Sequence, residues 1–157
     1  MAHALPDYTI EQLESVGRFE VEHLTGEDAF ALGTLVCEVI HEWDLSLSVD
    51  VVIGDYLAYR ARLGTTGVGN DPWLAGKAAV AVHFGEPSLL VRLRQEATGI
   101  PFTDLDFDHD RMKAHGGSIP IFVGSELVGT VTTSGEPDVV DHEAAAEGVR
   151  RYVATLG

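Results

Sequence analysis

Apolar positions along the chain follow two rhythms, and the rhythm changes where the predicted element changes. Ala29, Leu32, Val36, Val39 or Ile40, and Trp43 recur at steps of three and four residues, which puts them on one face of an amphipathic helix. Thr25 precedes the run as an N-cap, with Glu27 and Asp28 in the first turn, where the positive end of the helix dipole favours acids. From Leu45 to Ile53 the period drops to two: Leu45, Leu47, Val49, Val51 and Ile53 share one face, and Ser46, Ser48, Asp50 and Val52 the other. That alternation predicts a half-buried strand. Gly54-Asp55 then reads as a hairpin turn, with Tyr56 to Leu63 returning as the second strand.

The remaining segments follow the same logic. Ile10 to Val16 predicts a short leading helix, and Arg18 to His23 alternates charged and apolar residues as an edge strand does. After a loop carrying Gly64, Gly67 and Gly69, Asp71-Pro72 supplies a cap and a proline in the first helical turn. Trp73 to Phe84 is apolar almost all round, with Lys77 its only charge before His83, and Gly85 ends it; such a helix is expected at the centre of the domain. Pro87 to Glu96 fits a helix, although Leu89, Leu90, Val91 and Leu93 would also suit a strand. The acidic run Asp104, Asp106, Asp108, Asp110 is expected to cap a short helix from Asp108 to Ala114.

Ile119 to Val123 and Leu127 to Ser134 predict a second hairpin across Gly124-Ser125-Glu126. Asp138 is expected to cap a last helix that turns Val149, Val153 and Leu156 toward the core, with Asp141 at its third position and His142 pointing outward. Strands grouped in hairpins, instead of alternating singly with helices, imply an α+β domain with an antiparallel sheet.

A chain of 157 residues makes one domain of ordinary size. Its 25 acids against 10 bases give a formal charge of -15, which repels phosphate backbones and anionic lipid surfaces, so nucleic acid and membrane are not expected partners. Met1 to Thr9 carries neither a basic region nor an apolar run, and no segment is long enough to span a bilayer, so a cytoplasmic protein is expected. The single Cys37, set among Leu35, Val36, Val39 and Ile40, reads as a small buried hydrophobe.

Candidate chemistry concentrates at His115-Gly116-Gly117. A glycine pair lets the backbone approach another group closely, and a neutral imidazole beside it is a fit ligand for haem iron or another metal. Trp73 and Lys77, one turn apart on one helix, offer an aromatic plane and a cation to a flat anionic ligand. The expected ligand site is therefore His115, Gly116, Gly117, Trp73 and Lys77 lining a cavity, with His115 and His142 as candidate metal ligands. The acidic run lacks the turn glycine and closing glutamate of an EF-hand. With no phosphate loop, nucleophile elbow, zincin motif or paired CxxC, no catalytic residue is assigned.

Asn70-Asp71-Pro72-Trp73 with Lys77 and Phe84, then Asp108, Arg111, His115-Gly116-Gly117, Pro120-Ile121, Val128-Gly129-Thr130-Val131, Ser134-Gly135 and Asp141-His142 form an ordered set. In that set the chain resembles the haem-degrading-domain family, HbpS-like, GlcG-like and PduO C-terminal-like, and most of all its small stand-alone branch. The resemblance implies a GlcG-like, broadly profilin-like sheet of about five antiparallel strands with helices packed on it. It further implies a homo-oligomer that binds a small molecule, with haem as the cofactor or ligand. Two other classes stand beside this reading: an oligomeric protein–protein adaptor without chemistry, and a metal- or haem-dependent redox enzyme using His115, Asp141 and His142.

Overall fold

Two helices begin as their N-terminal sequences require. In α1 (Ile10–Val16) the Thr9 hydroxyl accepts from the Gln12 amide while the Gln12 side chain accepts from Thr9 N–H, and α2 (Gly26–Glu42) repeats the arrangement with Thr25 and Asp28. Each reciprocal pair satisfies amides that have no partner within the helix. The computed structural model describes residues 5–157. The first four positions of the Met1–Thr9 stretch read for a leader lie outside the described residues.

The strands are β1 (Phe19–Val21), β2 (Ser48–Ile53), β3 (Tyr56–Arg62), β4 (Ser118–Val123) and β5 (Glu126–Ser134), forming one sheet in the order β1-β4-β5-β2-β3. The two hairpins and the β2–β5 pair are antiparallel, as the α+β reading expected. β1 departs from that expectation by running parallel to β4, with Phe19 opposite Ile121. No hairpin joins these two strands, so no short turn dictates their relative direction. The remaining helices are α3 (Asp71–Phe84), α4 (Ser88–Ala97) and α5 (Asp138–Thr155).

α2 and α5 cover one face of the sheet, and the main core lies there, with Leu32, Val36, Val39, Ile40, Val49, Val51, Ile121 and Val131 fully buried. α3 covers the other face. Ser48 and Asp50, expected on the polar side of a half-buried strand, are buried beneath it. There Asp50 takes two hydrogen bonds from Arg60 and Ser118 pairs with Thr132 at 2.9 Å, while the Ser48 hydroxyl is buried without a partner among the described residues.

Three helical expectations change. α3 is not buried all round: Leu74, Gly76, Lys77, Val80 and Ala81 face inward, while Trp73, Val82 and Phe84 remain exposed. The core side of α5 is Val140, Ala144, Ala145, Gly148 and Tyr152, leaving Val153 and Leu156 exposed and Val149 half-buried. Asp108 to Ala114 makes a single turn, with Arg111 and Met112 N–H donating to the Asp108 carbonyl, and a short 3-10 helix lies earlier, at Phe102–Asp104. Cys37 is half-buried against the core, 3.3 Å from the Tyr59 hydroxyl, and burial pushes its thiol pKa up.

Candidate functional site

Lys77 projects from the inner side of α3, where a lone ammonium must find acceptors. It donates to Asp141 Oδ2 at 2.7 Å and to the Thr133 carbonyl at 2.9 Å, joining α3, β5 and α5. Asp141 Oδ1 accepts in turn from Glu136 N–H at 2.9 Å. Burial raises the Asp141 carboxyl to about 6 against the pull of Lys77 and the backbone donors, which leaves it ionised at neutral pH.

Gly117 passes directly over this pair, and Gly116 over the start of α5 at Asp138. Gly116 N–H donates to Asp138 Oδ2 at 2.9 Å, and a Cβ there would stand 2.5 Å from the Asp138 carbonyl oxygen. Gly117 has φ +138, and a Cβ on it would meet the Thr133 carbonyl at 2.4 Å and Lys77 Nζ at 3.0 Å. The close approach anticipated from the glycine pair is therefore to the protein's own backbone, not to a cavity. Asp138 does not cap α5 with its side chain; it holds the Gly116 amide and pairs with Arg92.

His115 stands in front of these glycines as an exposed residue. Its ring lies edge-on to Trp73 at 5.3 Å between centroids, and Lys113 Nζ sits 4.9 Å from the Trp73 ring. Partial burial of the imidazole lowers its pKa; Asp138 opposes this, and the Lys77, Arg92 and Lys113 cations add to it. The ring is thus neutral at neutral pH, with neither nitrogen hydrogen-bonded among the described residues. Trp73 and Lys77, expected to present one surface, are divided: the indole faces solvent and the ammonium faces the interior. The cation beside Trp73 is Lys113, which the sequence reading missed because only the turn before His115 folds it onto the indole.

His142 was expected to point outward, yet it is 4% exposed. Tyr8 packs edge-on against its ring at 5.1 Å, its Nδ1 has no hydrogen-bond partner among the described residues, and burial lowers its pKa to about 4. It lines a groove of about 680 Å³ between α1, β1 and α5. A smaller groove of about 370 Å³ runs beside it along α4 and β4. His115, Trp73 and Lys77 line neither. Among the described residues, no three His, Cys, Asp or Glu side chains are grouped to hold a metal ion, and no helix is long and apolar enough to cross a membrane.

This architecture, a mostly antiparallel five-stranded sheet between helical layers, defines a GlcG-like α+β domain. The sequence profile described as haem degrading protein HbpS-like matches residues 24–150, and the chain belongs to that family. A UPF0303 protein of Streptomyces coelicolor is 36% identical over 148 residues, covering 92% of this chain and 94% of that protein. A UPF0303 protein of Burkholderia orbicola is 31% identical over 144 residues, 87% of each. Among solved structures, the Ybr137w protein superposes with a TM-score of 0.81 at 23% identity, over 92% of this chain and 88% of that one. HbpS gives 0.67 at 21% identity over 90% and 96%, and a PduOC:haem complex 0.67 at 17% over 81% and 93%. At these identities the shared property is the fold.

Proposed function

We propose that this protein is a homo-oligomer that binds a haem-class ligand, a flat metallated ring bearing carboxylates, against the surface formed by His115, Trp73 and Lys113. The observation that carries the reading is the exposed indole held edge-on to a neutral imidazole, with an ammonium beside it. A neutral imidazole with a free nitrogen is the state that ligates iron, an aromatic ring offers a flat apolar contact, and an ammonium suits a propionate. Haem, when bound, would be held by His115 and would supply an iron centre for ligand or redox chemistry. Lys77 and the two glycines act behind the surface, by fixing the loop that carries His115.

Family membership supports the ligand class, and one solved neighbour is a haem complex. The outward side of α3 supports self-association, because Ala75, Ala78, Ala79 and Val82 recur on it at helical spacing, apolar throughout, with Val82 52% exposed. Titration with hemin tests the ligand: a saturable Soret shift that is lost in His115→Ala is expected, and no saturable shift overturns the reading. Sedimentation equilibrium tests the assembly: Val82→Asp is expected to lower the mass of a wild-type oligomer, and a monomeric wild type refutes it.

A further inference from the structure

The groove between α1, β1 and α5 lies apart from the His115 surface. Leu13, Val16, Phe19, Ala146, Val149 and Val153 give it apolar walls, and its volume of about 680 Å³ falls within the range of about 300–1,000 Å³ usual for small-molecule sites. His142 forms part of the wall, and its Nδ1 is sealed from solvent without a protein partner among the described residues. Such a group costs stability unless something bonds to it. Tyr8, which stands edge-on to the imidazole, belongs to the same wall, and it is carried by the segment leading into α1 rather than by a regular element. The rim carries Asp7, Glu20 and Glu143 against Arg18 and Arg150, on a chain whose formal charge is -15. A carboxylate head meets net repulsion there, and an uncharged oxygen does not.

We propose that this groove binds an uncharged amphiphile, whose apolar body lies along α5 and whose single hydroxyl or carbonyl oxygen hydrogen-bonds His142 Nδ1 after a small rotation of Tyr8. The neutral imidazole either donates to or accepts from that oxygen according to its tautomer. This site is independent of the haem-class reading and shares no residue with it.

The test uses 1-octanol and octanoate, which share a chain length and differ in head group, with calorimetry and the imidazole nitrogen resonances of His142 as readouts. Octanol is expected to saturate one site and shift the His142 resonances, with octanoate weaker by about fivefold or more. His142→Phe, which keeps the apolar wall, is expected to weaken octanol about fivefold. Val149→Trp should abolish binding by filling the groove, and Val16→Trp does the same from an exposed position that folding tolerates. Absence of saturation, equal binding of the two probes with unmoved His142 resonances, or a Val16→Trp variant that binds octanol as wild type overturns the proposal. So does an oligomer that falls apart in Val16→Trp, which would show the groove to be filled by a second copy. Hemin titration of Val16→Trp should match wild type, so either site can fail without the other.

Discussion

Lys77 Nζ stands 2.7 Å from Asp141 Oδ2, and neither side chain exposes more than 3% of its surface. Removing one partner strands the other charge in the interior. Lys77→Met is expected to cost about 3–5 kcal/mol, and the double replacement Lys77→Met with Asp141→Leu to recover most of that loss. Urea unfolding of the three proteins checks it; a single variant costing under about 1 kcal/mol would show that water reaches the pair.

His142 should make the protein acid-sensitive in a defined window. Its folded pKa of about 4 lies below the ordinary 6.5, so the unfolded chain binds the proton more readily. The stability it contributes is present above 6.5 and is lost as pH falls toward 4, by on the order of 3 kcal/mol. Asp141 runs the opposite way, because a raised carboxyl contributes stability at low pH that is lost as pH rises through about 6. Since His142→Phe retains Asp141, the difference between its pH–stability curve and that of wild type isolates the imidazole. Parallel curves from pH 7.5 to 4 would contradict the assignment.

Gly148 lets α5 approach α2: a Cβ there would lie 2.4 Å from Val36 Cγ2 and 3.0 Å from Val36 Cα. Gly148→Ala is expected to lower stability by about 1–3 kcal/mol through overpacking. Gly26→Ala, where the added methyl meets nothing within 4 Å, should stay within about 0.5 kcal/mol. Thermal unfolding of both variants separates a packing role from a generic glycine effect.

At the haem-class surface the variants should rank by contact. His115→Ala is expected to abolish the Soret shift and Trp73→Ala to weaken hemin binding, while Lys113→Ala, which removes a half-buried ammonium already donating to the His109 carbonyl at 3.0 Å, should cost about fivefold or less. A Lys113→Ala loss as large as that of His115→Ala would place the ammonium, not the imidazole, at the centre of the site.

Local chemistry along the chain accounted for much of this molecule. Thr25 and Thr9 cap helices because a short hydroxyl satisfies amides two or three residues ahead, and Gly85 ends α3 because its left-handed conformation is open to glycine. The alternation in Leu45 to Ile53 predicted which side of β2 meets the main core, since side chains alternate strictly across a strand. The lone charge of Lys77 required an acceptor, which the sequence placed in a ligand and the fold supplies as Asp141 and the Thr133 carbonyl.

What the chain alone could not decide was the identity of each partner across space. Asp141 and Lys77 are 64 residues apart and meet only because α5 starts where β5 ends beside α3. That meeting turns His142 inward beneath Tyr8 and leaves His115 with Trp73 and Lys113. Ser48 and Asp50 look solvent-facing by period, yet α3 covers them, because periodicity separates two sides of a strand and says nothing of what lands on the second. Secondary structure is settled within a few neighbouring residues, whereas burial and pairing are settled by the packing of elements distant in sequence.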